Sequence, residues 1–360
     1  MRQPSVLLHD HLDGGVRPET VLELAREQRY DGLPPSAVED PASWFDQSSS
    51  GSLESYLSAF DHTIALMQNV SSLERVSYEC ALDLAADGVV YAEIRFCPRL
   101  HTVGGLSPDA VISAVAAGMA AGSTRSGLRW GLIIDSLRQF HDSEETARLA
   151  ARNRASGVVG FDLAGPESGF PPRWYAAGLR RAIAEGLRIT IHAGESAGVQ
   201  APAYIAQALE IGNAERIGHG IELIRDCTVE DGEIVRIGSV ARRVLDRGIA
   251  LEMCPQSNLA TSGLEPSQHP LGMMYRAGFN VTLNTDNRLM SATSMSREFS
   301  FAKTFHGFTE RDLGLVTVRS MLASFASRDV KAEIIRDVVM PAYDLTQSKE
   351  AALSPGMRVR

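Results

Sequence analysis

Residues 7–15 read LLHDHLDGG: a short apolar run, two histidines one residue apart, then an aspartate and two glycines. Side chains alternate along an extended strand, so His9 and His11 share one face and Asp10 takes the other. An HxH pair alone is as consistent with chance as with a metal site. Its meaning depends on what the rest of the chain brings to the same end of the same sheet.

Short apolar runs bounded by turn residues occupy 6–12, 89–97, 130–137, 158–163, 189–192, 216–221, 249–254 and 279–284. They are continuous rather than alternating, the pattern of strands buried on both faces in a parallel sheet covered by helices. Segments 108–121, 143–152, 173–184 and 234–246 carry helical spacing and good helix formers between them. Alternating strands and helices, with no GxGxxG after the first strand, predict an α/β fold: a closed (β/α)8 barrel of the TIM type rather than an open doubly wound sheet. One catalytic domain spans 1–345, and 346–360, without an apolar face, reads as a frayed tail.

Roughly seventy residues separate the first two strands, far more than one crossover helix needs, so 14–88 must include inserted helices. Residues 52–68 read as one of them, with Leu53, Tyr56, Leu57, Phe60 and Ile64 on one stripe behind a Ser/Gly-rich hinge, DQSSSGS. That stripe is either core packing or the inner face of a lid, and partial exposure of Tyr56, Leu57 and Phe60 would favour the lid.

The 44 acidic and 35 basic side chains give a net charge of −9, which argues against a nucleic-acid footprint and for a small-molecule partner. Cys80, Cys97, Cys227 and Cys254 are far apart and form no CxxC, so neither a disulfide framework nor a thiolate zinc site is expected, and the compartment reads as a reducing cytoplasm. No secretory signal precedes His9, and the Ala/Gly-rich 110–122 is too short to span a bilayer.

Three later strands end on chemistry. RITIHAGES brings His192 and Glu195, RIGHG brings His219, and TLNTDN brings Asp286 and Asn287. In a TIM-type barrel the carboxyl rim is where reactions occur, so these residues would share one cleft with His9 and His11. His62, His101, His141, His269 and His306 lie in helical or loop contexts without ligand-type company and read as surface or packing residues. Three imidazoles and a carboxylate suit a catalytic zinc ion held by His9, His11, His192 and Asp286; iron, manganese or cobalt could occupy the same cage. Zinc would bring the pKa of its water from 15.7 towards about 7. Glu195, carried past Gly194, would lie beside the ion as a proton carrier, and His219 could orient or deprotonate the water.

HDHLDGG, DLAGPE, IHAGE, RIGHG and LNTDN, in this order over nearly the whole chain, resemble the adenosine deaminases of the amidohydrolase superfamily. The resemblance implies one zinc ion on His9, His11, His192 and Asp286, with metal-bound hydroxide attacking purine C6. It further implies that Glu195 protonates N1, His219 positions the hydroxide and Asp286 accepts a hydrogen bond from it. Adenosine or 2′-deoxyadenosine would become inosine or 2′-deoxyinosine with release of ammonia. Asp13 would bind the ribose 5′-hydroxyl, the Gly165 N–H would face N3, and His11 would also border the substrate. Without the family, Asp13 reads as a cap and Gly165 as a turn glycine. Where many members have a second aspartate, this chain has Asn287, whose amide can donate to N7 at any pH.

The alternative enzyme is a deaminase of adenine, a 5′-modified adenosine or aminodeoxyfutalosine; related enzymes of that kind tend to carry HLEG where this chain has HLDG. A nucleoside-binding barrel without catalysis should have lost a ligand or the proton carrier, and none is missing. Oligomeric state is not legible in the sequence.

Overall fold

The computed structural model describes residues 3–50, 56 and 59–345, so the expected tail at 346–360 and Leu53 and Leu57 of the apolar stripe lie outside the described residues. Eight parallel strands run β1 (Ser5–His11), β2 (Val89–Phe96), β3 (Arg129–Leu137), β4 (Val158–Ala164), β5 (Arg188–Ala193), β6 (Arg216–His219), β9 (Ala250–Met253) and β10 (Asn280–Leu283), paired in that order. The first and last meet through a parallel bridge between Asp10 and Asp286, where His11 N donates to Asp286 O at 2.7 Å and Asp286 N to His9 O at 2.9 Å. The sheet therefore closes at the rim, and the predicted barrel is present. No helix among the described residues is long and apolar enough to cross a membrane.

Between β1 and β2 lie Pro18–Gln28, Pro35–Glu39, Pro41–Phe45, Phe60–Leu66 and Val70–Ala86, the expected helical insertion. Asn69 caps the last by accepting from Ser72 N. The helix expected over 52–68 is described only from Phe60 to Leu66, with Tyr56 also helical. Tyr56 and Phe60 are buried, so the exposure that would mark an open lid is absent there.

One expectation needs correction. Residues 234–246 do not form one helix: β7 (Cys227–Glu230) and β8 (Glu233–Ile237) make an antiparallel hairpin, and the helix covers only Ser239–Asp246. The local signal was Asp231-Gly232 between Thr228-Val229-Glu230 and Glu233-Ile234-Val235, and both turn residues take the positive φ that such a two-residue loop needs (47° and 76°). The barrel strands are buried on both faces as expected, but the face towards the lumen carries charges. Arg95 of β2 reaches Glu252 of β9 (2.8 Å) and Asp162 of β4 (2.6 Å), and Arg216 of β6 reaches Glu93 of β2 (2.6 Å), contacts between non-adjacent strands that only the lumen allows. The aliphatic core lies instead between the barrel's outer face and the helices, and the lumen is a fully buried ion-pair network.

Candidate active site

A cavity of about 240 Å³ opens at the carboxyl ends of the strands. It is lined by His11, Asp13, Gly165, His192, Glu195, His219, Asp286 and Asn287, while Tyr56, Phe60, Asp61 and Ile64 of the insertion supply another wall. His9 lies beneath the floor, fully buried, with Nε2 making no hydrogen bond although Asp286 Oδ1 is 3.2 Å away. The chain thus brings together all the residues read from its motifs, and a buried ring nitrogen is left unpartnered among them.

The donor atoms of His9, His192, His219 and Asp286 all lie within 4.8 Å of one another. His11 is outside that set, though its Nε2 is 3.4 Å from Asp286 Oδ1. Proximity alone therefore does not separate His11 from His219; the partner on the far side of each ring does. His9 Nδ1 donates to Glu252 Oε2 at 2.8 Å. His192 Nδ1 is 2.8 Å from Asp162 Oδ2, out of line with the ring N–H, and His11 Nδ1 faces Asp135 Oδ2 at 3.3 Å. A carboxylate at Nδ1 holds the proton there and leaves the Nε2 lone pair free for a cation. His219 differs, because its Nδ1 faces the Asn258 amide nitrogen at 3.0 Å. Asp286 Oδ2 is occupied by the Ser257 hydroxyl at 2.6 Å, leaving Oδ1 towards the histidines.

Burial pushes His9 below its ordinary value and His192 well below it, with neighbouring positive groups adding to the effect, so both offer neutral donors. Burial also opposes charge on His11, but Asp135 and Asp286 outweigh it and the ring is pushed up to about 9, a proton that a bound cation would displace. Burial raises Glu195; His219 opposes the rise, and the negative charges of Asp286 and Glu167 add to it. Glu195 thus keeps its proton to higher pH than an ordinary carboxylic acid.

The backbone around these groups is held in place. Glu167 accepts from the consecutive amides of Gly194 (2.6 Å), Glu195 (2.9 Å) and Ser196 (2.9 Å), fixing the loop that carries Glu195. His219 and Asp286 are non-glycine residues in the left-handed region, at φ of 58° and 57°, strain of the kind kept at functional sites at about 1–3 kcal/mol each. Gly14 abuts Asn287 so closely that a methyl group there would overlap its side-chain amide.

The sequence reading missed Asp135, Asp162, Glu167, Glu252, Ser257 and Asn258. Three of these carried a usable signal: Asp135, Asp162 and Glu252 are charges inside otherwise apolar strands, where ionised groups persist only when paired. Two of the histidines read as surface or packing residues are buried close to the site. His101 is buried with Nε2 3.7 Å from Asp13 Oδ2, and His269 is buried against Asn258, with its Nε2 3.2 Å from Asn258 Oδ1.

Comparison with known proteins agrees with the motifs. The family described as adenosine deaminase matches residues 4–341. The adenosine deaminase of Mycobacterium marinum is 44% identical over 348 residues, 94% of this chain and 95% of that one. Adenosine deaminase 1 of Streptomyces coelicolor is 44% identical over 349 residues, covering 95% and 87%. Among solved structures, the adenine deaminase from Arthrobacter aurescens superposes with a TM-score of 0.81 at 27% identity, over 93% of this chain and 98% of that one.

Proposed function

This chain belongs to the adenosine deaminase family, and from that premise we propose that it is a zinc-dependent deaminase of adenosine and 2′-deoxyadenosine, forming inosine or 2′-deoxyinosine and ammonia in the cytoplasm. The observation that carries the reading is the sorting of the histidines by their Nδ1 partners: His9, His11 and His192 face carboxylates, so with Asp286 they form the donor set, and His219 does not join it. Three imidazoles and one carboxylate without a thiolate fit zinc in a catalytic rather than a closed structural site. A zinc ion there supplies Lewis-acid activation of water near neutral pH.

The chain's own residues do the rest. Protonated Glu195 gives its proton to purine N1, the nitrogen next to the carbon under attack, and so draws electron density from that carbon. His219 holds the attacking oxygen in place. Asn287 donates to N7, the Gly165 N–H faces N3, Asp13 accepts from the ribose 5′-hydroxyl, and His11 borders the sugar. Tyr56, Phe60 and Ile64 close the apolar side of the cavity and reduce water around the base. We assign 1–345 to a single catalytic unit, with the insertion after β1 contributing Tyr56, Phe60, Asp61 and Ile64 to the cavity wall. The partner is a small purine nucleoside, and the four free cysteines are in keeping with a reducing compartment.

A panel of adenosine, 2′-deoxyadenosine, adenine and 5′-substituted adenosines, assayed with zinc-analysed protein by absorbance and ammonia release, tests the reading. Adenosine should exceed adenine in kcat/KM by about 100-fold or more, because Asp13 is a buried acceptor left unpaired when the sugar is missing. Adenine turned over as fast as adenosine would instead support the alternative substrate class that the Arthrobacter relative's name suggests.

Asn287→Ala should raise KM and lower kcat, reducing kcat/KM by about 10-fold, with zinc content constant. Gly14→Ala should act in the same direction, since its methyl group displaces the Asn287 amide. Unchanged kinetics in both would remove Asn287 from the site.

A further inference from the structure

His219 is the one histidine of the cluster whose Nδ1 meets an amide rather than a carboxylate, and the polarity of that contact can be traced outward to two backbone donors. Leu271 N–H donates to His269 Nδ1 at 3.2 Å, so the neutral His269 ring carries its proton on Nε2. Burial, with the nearby His306 and His219, pushes His269 down to about 3, which keeps that ring neutral at working pH. His269 Nε2–H then donates to Asn258 Oδ1 at 3.2 Å. Cys254 N–H donates to the same oxygen, also at 3.2 Å, so two donors agree on which end of the Asn258 amide is oxygen. The Asn258 NH2 is left to point at His219 Nδ1, and an NH2 group has no lone pair to accept with.

We propose that His269 and Asn258 are positioning residues that hold His219 with its proton on Nε2, so that His219 meets the substrate side of the cavity as a hydrogen-bond donor and not as a metal ligand or a base. His219 Nε2 has no free lone pair in this arrangement, which excludes it from the donor set despite its proximity. The other tautomer would set an N–H at Nδ1 against the Asn258 N–H, and Asn258 therefore disfavours it. His219 Nε2 lies 3.6 Å from Glu195 Oε2, and both residues line the cavity, so a donor there is available to hold the attacking oxygen. This assignment rests on the proposed deaminase reading for its catalytic consequence, whereas the tautomer itself does not depend on the substrate.

The experiment uses zinc-loaded protein labelled with 15N in its histidine rings, with His219→Gln identifying the His219 signals. In the unaltered protein His219 should show an unprotonated Nδ1 and a protonated Nε2. Asn258→Asp replaces the donor by an acceptor, so the pattern should invert, with kcat falling about 10-fold or more and KM within about threefold. His269→Gln, whose amide can still donate to Asn258, should keep more of the native pattern and rate than His269→Phe; this pair gives the same readout if Asn258→Asp does not fold. A protonated Nδ1 in the unaltered protein, or a pattern indifferent to these substitutions, overturns the proposal. A native His219 pattern in protein that deaminates no purine would instead sink the functional reading and leave the tautomer assignment standing.

Discussion

Glu195→Gln should keep its zinc and lose about 10²–10⁴-fold in kcat, the range spanned by a general acid in proton transfer. The amide keeps the shape and a hydrogen bond, but has no proton to transfer to N1. Its loop should not move, because it is fixed by backbone amides on Glu167 and not by the Glu195 side chain. The pH dependence gives a second readout. Burial raises Glu195 above its ordinary value, and the active form is the protonated one, so the rate in the unaltered protein should fall as pH rises through that raised pKa. The variant should lose this alkaline limb. Metal analysis beside kcat against pH checks both parts, and turnover within about threefold of the unaltered protein would remove Glu195 from the proton path.

Glu252→Gln should have the largest effect on the protein as a whole, although Glu252 does not line the cavity. Its Oε1 accepts from Arg216 Nε (2.5 Å) and Thr190 Oγ1 (3.0 Å), and its Oε2 from Arg95 Nη2 (2.8 Å) and His9 Nδ1 (2.8 Å). A glutamine has one oxygen, so whichever way it turns, its NH2 faces an N–H: Arg216 Nε on one side, or Arg95 Nη2 and His9 Nδ1 on the other. Two guanidinium groups also lose a buried counter-charge, a change that costs about 3–5 kcal/mol when a buried pair is broken. If the NH2 faces His9, the ring loses the partner that keeps its proton on Nδ1, and zinc should bind about 10–100-fold more weakly. Thermal unfolding and a competitive zinc titration measure the two effects separately.

The acid dependence of that stability has a definite sign. Although burial favours the protonated form, Arg95 and Arg216 hold Glu252 well below its ordinary 4.5, so its contribution is present above about pH 4.5 and fades as pH falls below it. The gap in unfolding temperature between the unaltered protein and Glu252→Gln should therefore narrow on acidification. An equal gap at pH 7 and pH 4 would show that the carboxylate is not what stabilises the lumen.

How much of this was legible differs from residue to residue. His9, His11, His192, His219, Glu195 and Asp286 could be collected at one rim because each lies near or just past the carboxyl end of a strand, and barrel topology brings strand ends together however far apart they lie in the chain. The 227–237 hairpin was legible too, in Asp231-Gly232, but helical spacing in the following residues masked it. His269 was not. Its neighbours Gln268 and Pro270 say nothing of the site, and its contact with Asn258 exists only because the helix Pro255–Ser262 and the loop after it pack against one another.

The order of apolar runs, turn residues and strand-end donors determined the barrel, the rim and the kinds of chemistry present, because these follow from local propensity and period-2 alternation. Which nitrogen of each histidine carries the proton was decided only by the tertiary structure. That choice depends on whether a carboxylate or an amide from a distant strand or helix lies behind the ring, and no spacing along the chain encodes a hydrogen bond between His9 and Glu252 or between His219 and Asn258.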